Sequence, residues 1–264
     1  MKIFFKYILI FSILLFSALN FASTIQYGKY YHINNASIYA ESYGKGPVVV
    51  FESGLGDGID VWSKVAPEIA KHATVILYDR AGTKKSKFLI KTTQPQTAQI
   101  VVNNLKSLLQ KMNLKPPYIL VGHSLGGLYI QLFAREYPKE VSGVVLVDSM
   151  SPNQNINDPL PNKKAYYYLD ALGIPASENQ VKKAPNFPNI PLIVLSATIH
   201  GKPGSIYNSK ANKIQWAKWQ SQLAAMSDES QHITANKTDH YIQKQKAWLV
   251  IAAIKKIIST HSFD

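Results

Sequence analysis

Tyr118-Ile119-Leu120-Val121-Gly122-His123-Ser124-Leu125-Gly126-Gly127 is the stretch that decides the fold. Four apolar residues, a strand-like run, lead straight into Gly-x-Ser-x-Gly. An apolar helical pattern then runs from Leu125 to Tyr137, where Pro138 stops it. A serine between a strand and a helix sits on a sharp turn with its hydroxyl exposed. Gly122 and Gly126 are needed because side chains there would collide as strand and helix approach each other. The helix start also aims backbone N–H groups and the positive end of its dipole at any negative charge that develops on the serine's target.

Working outward, strand and helix patterns alternate. Pro47–Phe51, Thr74–Tyr78, Val141–Val147 and Ile193–Leu195 read as buried strands, and Gln231–Thr234 as a short one. Val61–His72, Thr97–Met112, Ile214–Met226 and Tyr241–Thr260 read as helices; the second carries an apolar stripe of Ile100, Val101, Leu105, Leu108 and Leu109. The alternation predicts an α/β domain over residues 23–264, with a mostly parallel central sheet and helices on both faces. Residues 149–190 break the rhythm with Pro152, Pro159, Pro161, Pro175, Pro185 and Pro188. That segment reads as a cap or lid inserted between the strands ending near Val147 and Leu195, with one helix near Lys163–Leu172.

Residues 1–22 have another character. Lys2 and Lys6 precede an apolar run, Tyr7–Leu19, that suits a signal-peptide core and falls short of the roughly 20 residues a membrane span needs. The expectation is an exported protein, periplasmic or secreted, with an uncleaved N-terminal anchor as the alternative and no stable membrane span in the mature form. Cysteine is absent, which excludes disulfides, thiol nucleophiles and cysteine metal sites. The formal net charge of +13 is spread in ones and twos (Lys84–Lys85, Lys163–Lys164, Lys182–Lys183, Lys255–Lys256) without interleaved aromatics. That pattern argues against a nucleic-acid partner and leaves only loose attraction to anionic surfaces.

A serine nucleophile requires a base. His240 stands in a polar loop before the last helix and is the first candidate; His200, after the strand ending at Leu195, is the runner-up. His232 lies inside a strand and reads as structural, and His123 as a packing residue pointing away from the serine. No Asp or Glu occurs from Ser196 through Ser227, so the acid falls to Asp148, immediately after the Val141–Val147 strand. Asp228, Glu229 and Asp239 are weaker candidates. The oxyanion donors expected are the backbone N–H groups of Leu125 and of Leu55, the latter in the Gly54-Leu55-Gly56 turn. Tyr166, Tyr167 and Leu169 in the lid suggest an apolar substrate pocket. The chemistry calls for no metal and no organic cofactor.

Over nearly its whole mature length the chain resembles the α/β-hydrolase superfamily, in Glu52–Gly56 (ESGLG), Tyr78–Gly82 (YDRAG), Gly122–Gly127 (GHSLGG) and Val147–Ser149 (VDS). The resemblance implies that Ser124 is the nucleophile, Asp148 the acid and His240 the base of a hydrolase acting on a small ester-like substrate. Acyl transfer on the same triad, or a catalytically silent ligand-binding scaffold, are the alternatives. Two departures stand out. Many relatives have His-Gly where Glu52-Ser53-Gly54 occurs here, and Lys84 takes the place of a glycine after the YDRAG turn. Asp79 and Arg80 are expected to form an ion pair or hydrogen bonds near the site. Serine at the elbow argues against epoxide hydrolase and dehalogenase chemistry, which uses aspartate there.

Overall fold

The computed structural model describes residues 26–154, 159–201 and 209–260. The expected leader, residues 1–22, lies outside them. Among the described residues, nine strands form one sheet in the order β1-β2-β4-β3-β6-β7-β8-β9, with β5 (Lys87–Phe88) paired to β2. From β4 (Thr74–Tyr78) through β3 (Val48–Glu52), β6 (Tyr118–His123), β7 (Val141–Val147) and β8 (Leu192–Ala197) to β9 (Ser230–Ala235), every pairing is parallel. The sequence pattern assigned no element to the first strands. There β1 (Gln26–Ile33) and β2 (Ala36–Gly44) form an antiparallel hairpin turned at Asn34–Asn35. Its strands mix tyrosines with charged residues, so no buried-strand run announces them.

Both faces of the parallel strands are covered, and the two-residue strand period sorts their side chains. Val50, Ile76, Leu120 and Val144 face α2 (Ala98–Lys111) and α3 (Leu125–Glu136). Their neighbours Val49, Val75, Ile119 and Val145 face Trp62, Val65 and Ile69 together with α7 (Ala247–Thr260). No described helix is long and apolar enough to cross a membrane.

Three expected helices differ. Val61–His72 is a 3-10 turn, Ile59–Trp62, followed by the single-turn α1 (Ala66–Ile69), although the expected apolar face is buried. Pro67 is the reason: its missing N–H and fixed φ suit the first turn of a helix, so a new turn starts there in place of one helix continuing from Val61. The last helix is split at Lys246 into α6 (Ile242–Gln245) and α7. In the β7–β8 connection the expected Lys163–Leu172 helix is α4 (Tyr168–Lys183), which runs on through Pro175. The remaining helix, α5, spans Lys210–Ala224.

Parallel register brings the C-terminal ends of β3, β6, β7 and β8 to one rim. Glu52 pairs with Gly122, His123 with Val147, and Val147 with Leu195. In open α/β sheets that rim is where ligands bind.

Candidate active site

Ser124 is the N-cap of α3 with φ 52° and ψ −121°, a left-handed backbone that costs a non-glycine residue energy and is retained where surroundings over-determine it. Its N–H donates to the Val147 carbonyl (3.2 Å), and its own carbonyl accepts from Met150 N–H (2.9 Å). A Cβ on Gly126 would lie 2.4 Å from the Glu52 carbonyl oxygen and 2.5 Å from that of Ser53. Only glycine lets the start of α3 lie this close to the Glu52 and Ser53 carbonyls at the end of β3.

Asp148 follows Val147, also with positive φ (43°). Fully buried Gln131 and Gln220 hold the chain that leaves it: Gln131 donates to Ser149 Oγ and the Met150 carbonyl, Gln220 to the Ser149 carbonyl. The buried Asp148 carboxylate accepts four hydrogen bonds. Ala197 N–H (2.8 Å) and Trp216 Nε1–H (2.9 Å) donate to Oδ1; His240 Nδ1 (2.6 Å) and His200 Nε2 (3.2 Å) meet Oδ2. Burial alone would raise its pKa. The hydrogen bonds and charge of His200 and His240 outweigh burial and hold the carboxyl well below the usual carboxylate range.

His240 is a third exposed, and with Nδ1 committed to Asp148 its Nε2 is the nitrogen left for a proton. Its loop is anchored from beneath. Fully buried His123 donates from Nε2 to the His240 carbonyl (2.9 Å), and the two rings pack 4.6 Å apart. Burial pushes the His123 imidazole below its usual range, against the pull of Asp57, whose Oδ2 lies 3.5 Å from Nδ1. The expected packing role of His123 therefore has a specific target, the base's own loop. His232 bonds Ser196 Oγ on the neighbouring strand, and Asp239 caps the turn at Tyr241 N–H.

On the other side of β6, the turn after β3 is a β-turn closed by Asp57 N–H to the Gly54 carbonyl, with Leu55 and Gly56 central. Gly56 has φ +72°, which the third position of a type II turn requires. Tyr166 Oη donates to the Gly56 carbonyl (2.6 Å), and a Cβ on Gly56 would meet the Tyr167 ring at 3.2 Å. Both tyrosines named from the sequence thus border this turn. Leu169 instead uses its carbonyl to accept from Gln96 N–H. Lys84 has φ 47° where a glycine was expected, and its Nζ lies 5.2 Å from the Tyr166 ring centroid.

Asp79 and Arg80 do make hydrogen bonds here, but not to each other. Asp79 accepts from Ile59 and Lys85 N–H groups, and Arg80 pairs with Glu52 and with Asp170 of α4. Glu52 also accepts from Tyr78 Oη. The Glu52-Ser53-Gly54 departure is thereby accounted for: a carboxylate at this place is matched by the arginine of the YDRAG turn. The sequence carried no signal for Trp216 or Asp170, which come from separate segments, one a helix face and the other the proline-rich connection.

A family model described as alpha/beta hydrolase fold matches residues 47–189. The uncharacterized protein YqjL of Bacillus subtilis is 26% identical over 217 residues, 79% of this chain and 82% of that one. Among solved structures, the enol-lactonase from Burkholderia xenovorans LB400 superposes with a TM-score of 0.66 at 15% identity, covering 87% of this chain and 99% of that one. A thermophilic esterase from Thermogutta terrifontis does so with a TM-score of 0.63 at 16% identity, covering 88% and 98%. At such identities the likeness is one of fold.

Proposed function

Because the chain belongs to the α/β-hydrolase family, we propose that it is a serine hydrolase cleaving a small or medium carboxylic ester through an acyl-enzyme on Ser124. The observation that carries the reading is the 2.6 Å bond from His240 Nδ1 to a buried Asp148 carboxylate, one residue beyond the Val147 carbonyl that holds Ser124. That bond fixes the tautomer that leaves Nε2 free to take a proton.

In the first step His240 Nε2 accepts the Ser124 hydroxyl proton while Oγ attacks the acyl carbon. The carbonyl oxygen becomes an oxyanion, held by the Leu125 and Leu55 N–H groups. Collapse breaks the ester C–O bond, and the imidazolium gives its proton to the leaving alcohol. Water then adds to the acyl-enzyme with its proton passing to His240; the second collapse breaks the bond from the acyl carbon to Ser124 Oγ, the imidazolium returns its proton to Oγ, and the carboxylic acid leaves. Asp148 stays ionised throughout and stabilises each imidazolium. Residues 149–190 act as the cap, and Tyr166 and Tyr167 border the acyl or alcohol pocket next to the oxyanion turn. The protein works outside the cytoplasm after export by residues 1–22; amino-terminal sequencing of the processed protein checks that step.

The test is hydrolysis of a p-nitrophenyl ester series from acetate to decanoate by the purified protein and by Ser124→Ala. Turnover with a chain-length optimum, lost in the variant by several orders of magnitude, supports the reading. Equal rates for both proteins, or stoichiometric binding without turnover, overturn it.

A further inference from the structure

Arg80 is buried, 3% exposed, and each N–H of its guanidinium has a use. Nη1 donates to Glu52 Oε1 (2.7 Å) and to the Ser53 carbonyl (2.5 Å). Nη2 donates to the Gly54 carbonyl (2.7 Å) and to Asp170 Oδ2 (2.8 Å), and Nε also donates to Asp170 Oδ2 (2.9 Å). Two of these contacts hold the backbone of the turn that carries Leu55. A trans peptide is planar, with its C=O and N–H pointing in opposite directions. Holding the Gly54 carbonyl toward Arg80 therefore points the Leu55 N–H in the opposite direction, away from Arg80, within that peptide plane. The Ser53 carbonyl fixes the preceding plane in the same way, and the Gly126 contact closes the turn from the side of α3.

Asp170 comes from elsewhere in the chain, in the first turn of α4. That helix is docked on the start of α2: Ser177 Oγ accepts from Ala98 N–H (2.8 Å) and Gln180 Oε1 from Gln99 N–H (3.0 Å). A Cβ on Gly173 would lie 2.1 Å from the Gln96 carbonyl oxygen, so the approach is as close as backbone allows. The position of Asp170 thus reports whether the β7–β8 connection is seated.

We propose that Arg80 and Asp170 are positioning residues for the oxyanion turn, so that the seating of α4 and the aim of the Leu55 N–H are one mechanical unit. Asp170 holds the guanidinium, the guanidinium holds the Ser53 and Gly54 carbonyls, and these set the donor's direction. The catalytic consequence rests on the ester-hydrolase reading above; the mechanical one does not. Lifting α4 would withdraw one of the two donors, and the hole would be complete only with the cap seated.

The experiment uses the full protein with Asp170→Asn, which keeps the shape and an acceptor while removing the charge, and Arg80→Lys as a second variant. Hydrogen–deuterium exchange of residues 52–58 is compared with that of β6 and β7, and kcat and KM are measured on an ester substrate. The expected result for Asp170→Asn is exchange at least several-fold faster in 52–58 with the sheet unchanged, kcat down by about tenfold to a hundredfold, and KM within about threefold; full loss of an oxyanion donor costs about 10² to 10³. Arg80→Lys, which cannot reproduce the five contacts, is expected to lose more. Wild-type exchange in 52–58 in both folded variants overturns the clamp, whether or not the protein turns over esters. Faster exchange with kcat unchanged overturns its link to the oxyanion hole. A wild type inert toward esters sinks the hydrolase reading, and the exchange result still decides the clamp.

Discussion

Two buried carboxylate clusters stand on opposite sides of strand β6, and they are neutralised by different means. At the end of β7, Asp148 meets two imidazoles, an indole N–H and one backbone N–H. At the end of β3, Glu52 meets a tyrosine hydroxyl and an arginine that it shares with Asp170. An imidazole can offer a ring nitrogen as either proton donor or proton acceptor, whereas a guanidinium has only N–H donors. One cluster can therefore pass a proton to and from a neighbouring hydroxyl, while the arginine of the other holds backbone in place. Their titration differs accordingly. The Asp148 carboxyl is held below the usual range by its histidines. Burial, stronger than the opposing Arg80 charge and the Tyr78 hydrogen bond, lifts the Glu52 carboxyl above it.

Mutation should separate the two sides. Asp148→Asn is expected to lower kcat by about 10⁴ with little change in KM, since the amide can stabilise neither the needed tautomer nor the imidazolium; loss of less than tenfold in a folded protein would remove Asp148 from the role. Gly126→Ala strikes the other side by forcing the Glu52 and Ser53 carbonyls away from α3. The expected cost is about 1–3 kcal/mol of stability from overpacking, with kcat falling more than KM rises. Retention of wild-type kcat would show that the turn's distance from α3 does not matter. His200→Gln can keep a donor toward Asp148 and should change kcat by less than about tenfold, whereas His240→Gln should abolish turnover to the extent Ser124→Ala does. The reverse ranking would make His200 the base.

The smallest effect expected is on stability against pH, and the two carboxylates should act in different windows. Asp148 binds its proton more weakly folded than unfolded. Its contribution is complete above the ordinary carboxylate value near 4 and fades as pH falls below it. Glu52 binds its proton more tightly when folded, so its contribution grows as pH falls from its raised pKa toward that same value. Urea titrations should therefore show Asp148→Asn with a flatter acid loss below about pH 4, and Glu52→Gln missing a gain above about pH 4.3. Identical slopes in variant and wild type would contradict the contrast.

The members of the Asp148 cluster named from the sequence were legible there, and most partners of Arg80 were not. Ser124 announces itself because a strand, a strained turn and a helix each leave a local pattern within ten residues. His240 and Asp148 follow from chain order and from the missing acids between Ser196 and Ser227. Arg80 was visible as part of a motif, but its partners were not: Asp170 lies 90 residues away in a helix whose internal Pro175 hides its extent. Trp216 is invisible for a similar reason, since one aromatic on a helix face has no pattern of its own. The β1–β2 hairpin was missed because its half-exposed strands lack the continuous apolar run that marks the central ones.

The most direct test of the account is to treat the purified protein with a fluorophosphonate and locate the adduct by mass spectrometry, with Asp148→Asn and Asp170→Asn treated alongside. A single adduct on Ser124, formed fast in wild type and far more slowly in both variants, is the expected result. An adduct on another residue, or none in the folded wild type, would contradict the assignment of Ser124 as the nucleophile that both clusters serve.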